Sequence, residues 1–166
     1  MSKAAKKSES HSITIQDYHN LPKDYSPEKD YPYMNPRHRA YFYGVLSEMR
    51  DSSLLEIERI NKNIEELRDV NDSDEIDLAS RYSDVSDLMT QVERLTNMIK
   101  KIDKLMQKIQ EDDYGYCEET GDEIGIKRLI VRPIATLSVS VQRKKEIDDV
   151  IVKNSRRQID DEDITE

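Results

Sequence analysis

Val85-Ser86-Asp87-Leu88-Met89-Thr90-Gln91-Val92-Glu93-Arg94-Leu95-Thr96-Asn97-Met98-Ile99-Lys100-Lys101-Ile102 carries the pattern that decides the fold. Apolar residues fall at Val85, Leu88, Val92, Leu95, Ile99 and Ile102 and continue at Met106 and Ile109. The steps alternate between three and four, the heptad of a helix that packs lengthwise on another helix. A matching stripe lies upstream at Leu46, Met49, Ile57, Ile60, Ile64 and Leu67, with Glu56, Arg59, Lys62, Glu65 and Arg68 on the other faces. Between the two, Val70-Asn71-Asp72-Ser73 supplies turn and cap residues, and Asp72 with Glu75 makes a capping pair for the second helix. Neither helix can bury its stripe alone. They are therefore expected to lie antiparallel, each about 50 Å long at roughly 1.5 Å per residue.

Outward from this hairpin the pattern changes. Residues 1–20 are polar, with Lys3, Lys6 and Lys7 near the start, and read as a disordered tail. Residues 21–36 carry Pro22, Pro27, Pro32 and Pro36 among tyrosines. That proline density excludes a helix and predicts an extended strap, pinned on the globular part by Tyr25, Tyr31 and Tyr33. Asn35 as N-cap and Pro36 at the first helical position open the hairpin, which is expected over 37–112 with its tip at 70–79. Tyr114-Gly115-Tyr116-Cys117 and Thr120-Gly121-Asp122-Glu123-Ile124-Gly125-Ile126 suggest two short strands and a tight turn, a small β-hairpin within 113–132. Pro133 is expected to open a C-terminal helix over 133–156, bearing Ile134, Leu137, Val141, Ile147 and Ile151. Residues 157–166 read as a solvated acidic tail.

Composition agrees with a slender helical molecule. Charged residues make up 37% and the apolar set 36%, with no Trp and one Phe, which is lean for a globular core. The net charge of −9 disfavours direct nucleic-acid binding, because phosphate contacts need a basic face. One cysteine, Cys117, excludes an internal disulfide and fits a reducing cytosol. No signal-like or membrane-spanning apolar run is present, so a cytoplasmic protein is expected. No Gly-rich phosphate loop or Ser/His/Asp set is present, and the histidines are His11, His19 and His38, far from the cysteine. An exposed turn gives paired carboxylates no cleft for acid–base work, so no enzyme is expected.

Gly115-Tyr116-Cys117, Gly121, Ile124, Arg128-Leu129 and Pro133 stand in the order and spacing of the DksA/TraR zinc-finger segment. Tyr33-Met34-Asn35 and Lys100-Lys101-Ile102 are similar to that family too, and the resemblance runs from about residue 21 to residue 150. It implies a mainly α fold: a long antiparallel coiled-coil hairpin, a small degenerate zinc-finger-like segment and a C-terminal helix. The four positions where the family has cysteine are filled here by Cys117, Thr120, Ser138 and Val141. Structural zinc needs four thiolate or imidazole ligands, so no metal is expected, and apolar residues such as Ile124, Leu129, Leu137 and Val141 are expected to hold the segment.

The resemblance also implies a function. Family members that act on bacterial RNA polymerase carry D-x-x-D-x-A at the hairpin turn, matched by Asp74, Asp77 and Ala79. In the family the hairpin enters the polymerase secondary channel, and the tip approaches the catalytic magnesium. Asp74 and Asp77 are three apart in a first helical turn, so they share a face at the positive end of the helix dipole. Arg94 matches a polymerase contact. Met98, Lys101, Arg132 and Gln142 match the contacts to guanosine tetraphosphate, the effector of the stringent response; the family commonly has a basic residue where Gln142 stands. The resemblance thus implies a monomeric, non-enzymatic regulator that destabilises promoter open complexes without recognising DNA sequence. A coiled-coil scaffold or chaperone-like protein, and a transcript-cleavage factor whose tip recruits magnesium, are the alternatives.

Overall fold

The computed structural model describes residues 12–69 and 75–162. Its elements are α1 (Ile15–His19), a 3-10 turn (Pro27–Lys29), α2 (Pro36–Asp69), α3 (Glu75–Gln110), α4 (Ile126–Val131) and α5 (Val139–Glu162). No strand forms among the described residues. The chain divides into two compact units, one ending at Tyr114 and one beginning at Gly115.

The first unit is the hairpin of α2 and α3 with the N-terminal segment packed on α2. Asn35 caps α2 as the sequence predicts: its Oδ1 accepts from His38 N–H at 2.9 Å, and its carbonyl accepts from Arg39 N–H at 3.1 Å. Along the seam, Ile60, Ile64 and Val85 are buried, with Leu67, Leu88, Val92 and Leu95 packed against them. The full stripe of α2 runs Phe42, Leu46, Met49, Ser53, Ile57, Ile60, Ile64 and Leu67, in steps of three and four. Ser53 fills a seam position because its hydroxyl donates to Met49 C=O at 2.8 Å, which makes burial affordable. On α3, Ile99, Ile102 and Ile109 are buried as the heptad requires, and Leu105 is buried beside them. α3 ends in a Schellman turn. Asp112 takes a left-handed φ of 65°, Asp113 N–H closes on Lys108 C=O at 2.9 Å, and Arg39 pairs with the Asp112 carboxylate.

The N-terminal segment departs from the expected tail. Residues 12–20 are placed, and Thr14 with Asp17 forms a capping box that starts α1. Ile13 is buried, and the Gln110 side chain bonds both its N–H and its C=O. The Tyr18 ring lies where a side chain at position 44 would stand, so only Gly44 admits it. Two anchors and a backbone clamp outweigh the polar composition around them. Residues 1–11 lie outside the described residues. The strap is a turn-rich path on α2, in which His38 Nε2 and Pro27 O lie 2.8 Å apart.

The second unit corrects two expectations. In place of two strands there is one bridge, Tyr116 with Glu123. The chain then leaves the extended direction at Gly125, whose φ of 94° opens α4, with Leu129 N–H bonding Gly125 C=O at 3.2 Å. Leu129 is the residue that this short helix buries completely. The last helix begins at Val139, not at Pro133. Arg132 N–H closes back on Arg128 C=O at 2.8 Å and Ala135 N–H on Arg132 C=O at 3.0 Å, so Pro133 sits in a turn. The first helical bond of α5 runs from Gln142 N–H to Ser138 C=O at 3.0 Å. α5 continues to Glu162, past the expected end at 156 and into the segment read as tail; residues 163–166 lie outside the described residues.

Candidate functional site

The distal end of the hairpin holds the first group of candidate residues. Asp77 and Ala79 are exposed in the opening turns of α3. Asp74, with the rest of 70–74, lies outside the described residues. Leu78 and Tyr82, one helical turn apart, are also exposed here, Tyr82 at 69% of its surface. Sequence reading passed over this pair because Tyr82 stands outside the heptad and Leu78 precedes it.

Further along α3, Arg94 and Lys101 are exposed and Met98 is half-buried. Met98 and Leu95 join Val45, Met49 and Ser53 in lining a shallow groove of about 450 Å³ between the helices. In the second unit Arg132 is exposed at the end of α4, and Gln142 is half-buried in the first turn of α5. The Gln142 amide donates to Glu146 at 2.8 Å, so it is held along its own helix.

The third group is a knuckle around Cys117. Cys117 N–H bonds Asp122 C=O at 2.8 Å, and Gly121 N–H returns to Cys117 C=O at 2.8 Å. Gly121 takes a φ of 71°, a left-handed conformation that glycine adopts without strain. The sulfur is buried and receives hydrogen bonds from the Thr120 hydroxyl and from the N–H groups of Ser138, Thr120 and Glu119. The Thr120 bond, followed by that from Ser138, lowers the thiol to about 6. Ser138 is buried with its hydroxyl 3.0 Å from that of Ser140, and Val141 is half-buried one turn on.

This donor set does not fit zinc. One sulfur, two hydroxyls that are already hydrogen-bonded and an alkyl side chain cannot make a tetrahedral structural site. Among the described residues no group of three or more His, Cys, Asp or Glu side chains converges on a point.

Comparison with known proteins places these features. The family model described as the prokaryotic dksA/traR C4-type zinc finger matches residues 112–146. The RNA polymerase-binding transcription factor DksA of Caulobacter vibrioides is 36% identical over 123 residues, covering 74% of this chain and 86% of that protein. The protein of the same description from Escherichia coli (strain K12) is 32% identical over 115 residues, covering 69% of this chain and 76% of that protein. Among solved structures, transcription factor DksA2 from Pseudomonas aeruginosa superposes with a TM-score of 0.68 at 32% identity, covering 74% of this chain and 93% of that one. With its two-helix hairpin, and a knuckle at the place of the finger, the chain belongs to the DksA/TraR family.

Proposed function

We propose that this chain is a non-enzymatic transcription regulator that binds bacterial RNA polymerase directly. In this reading the hairpin enters the secondary channel and brings Asp74, Asp77 and Ala79 close to the active site, where they destabilise promoter open complexes. The observation that carries it is a hairpin of 34- and 36-residue helices, about 50 Å long, with Asp77 and Ala79 exposed at its far end. Relatives with more than two thirds of their length covered are described as RNA polymerase-binding, which supports the same partner here. An exposed carboxylate on the first turn of α3 can perturb basic groups or metal-bound water in a partner's active site. Arg94 adds a contact along the shaft.

Guanosine tetraphosphate is the proposed effector, acting where the regulator meets polymerase. Lys101 would bind phosphate as a point charge and Arg132 as a fork, and Met98 and Gln142 are the other two positions assigned to the effector. Gln142 brings no positive charge, so the nucleotide response is expected to be weaker than with a basic residue there. The protein is read as a cytoplasmic monomer that does not recognise DNA sequence. Among the described residues no helix is long and apolar enough to cross a membrane.

In vitro transcription from a stable-RNA promoter tests the reading. The chain should lower transcript yield from purified polymerase, more so with the nucleotide. Absence of polymerase binding would replace it with the scaffold reading, and stimulated cleavage in backtracked complexes with the cleavage-factor reading.

A further inference from the structure

We propose that a hydrogen-bond network around Cys117 takes over the work that a metal ion does in a zinc knuckle, so that the second unit folds without any metal. A structural ion in a knuckle has two jobs: it closes the turn, and it ties that turn to the segment carrying the second ligand pair. Both connections exist here without an ion. The turn is closed by Cys117 N–H to Asp122 C=O, by Gly121 N–H to Cys117 C=O, and by the Thr120 hydroxyl on the sulfur. The tie to the second segment is made by the Ser138 N–H on the same sulfur and by Glu118 N–H to Thr136 C=O at 3.0 Å. An ion pair between Lys145 and Glu119 joins α5 to the turn as well.

The same unit also buries apolar side chains. Leu129 is fully buried, and Cys117, Ile124 and Ala135 of the same unit are buried as well. The replacements match their surroundings. Thr120 keeps a donor aimed at the sulfur, Ser138 keeps a small polar side chain in a buried place, and Val141 puts methyl groups where the family has a ligand. Position by position, ligand atoms have become hydrogen-bond donors or apolar packing. The proposal concerns folding and metal content, and stands or falls independently of the function proposed above.

The test uses the full chain purified from zinc-replete cells. Metal content is read by mass spectrometry and thermal unfolding is followed with and without EDTA. The wild type should carry no zinc above background, and its unfolding temperature should not move with chelator. Near-stoichiometric zinc, or a chelator-induced drop, would overturn the proposal. A combined Thr120→Cys, Ser138→Cys, Val141→Cys variant should take up about one zinc per chain and become chelator-sensitive. If it folds but takes up none, the knuckle no longer has ligand geometry and the replacement idea fails. Cys117→Ala probes the hub itself: amide hydrogen exchange should speed up at Ser138 and Gly121 while the buried amides of α2 and α3 keep their protection. Unchanged exchange at Ser138 would remove the sulfur from its proposed role.

Discussion

At Gly44 a single methyl group decides whether the N-terminal segment stays on the hairpin. The Tyr18 ring occupies the place of a Cβ there, so Gly44→Ala must displace α1. Alanine favours a helix over glycine by up to about 1 kcal/mol, but overpacking costs about 1–3 kcal/mol. Net destabilisation by urea unfolding is expected. In a Tyr18→Ala background the same change should turn stabilising, a reversal that a double-mutant cycle reads directly. A second residue-scale prediction concerns Asp30. Burial alone would raise its carboxyl, but hydrogen bonds from Asn35, Tyr25 and Tyr31 N–H outweigh that and hold it below the usual range. Its folded value is thus below its unfolded value. The stability it contributes is complete above about pH 4 and is lost as pH falls through the folded value. Asp30→Asn should therefore flatten the acid limb of the stability curve and leave the neutral region unchanged in slope. Asn35, in turn, was legible as a cap, but not as a residue that also touches the strap.

At the scale of elements, the hairpin rests on one seam, and each large seam residue has only the opposite helix to pack on. Ile60→Ala should cost about 2–4 kcal/mol, measured by denaturant unfolding, because a two-helix layer has little nearby mass to collapse into the cavity. Ser53→Ala should go the other way, with a gain of about 0.5 kcal/mol from helix propensity and relief of the hydroxyl's competition with the backbone. The heptad of α3 was readable from the chain because tertiary packing follows a period that the residues already carry. Ser53 was not, since its burial depends on a hydroxyl folding back on Met49. The same holds for α4 and the late start of α5. α4 opens on a glycine at φ 94° and α5 starts only after the turn through Pro133, and segments so short carry no periodic trace.

For the whole molecule, the proposed function predicts a separation of binding from effect. Asp77→Asn removes a charge from an exposed first turn with no seam contact, so helicity and unfolding temperature should stay put. Polymerase affinity should persist while promoter inhibition falls; inhibition at the wild-type level would remove the tip from the mechanism. The net charge of −9 predicts no salt-sensitive association with duplex DNA alone, checked by titration at low ionic strength. The exposure of Asp77, Arg94 and Lys101 on α3 was legible in advance, since charged residues off the heptad face water. Leu78 and Tyr82 were not, because exposure of an apolar side chain depends on which face the partner helix leaves open.

The residues alone determined the two long helices and their antiparallel pairing, since period, caps and a polar turn are local properties written into the order of the residues. They also determined the loss of zinc ligands, because ligand chemistry belongs to the side chain itself. Only the tertiary structure decided that residues 12–20 are clamped by Gln110 and seated on Gly44, and that the finger-like segment holds a bridge and a short helix instead of two strands. It also gathered Thr120, Ser138 and the lone sulfur into one network. Those outcomes turn on contacts between residues up to 97 positions apart, whose value exists only once the chain has closed on itself.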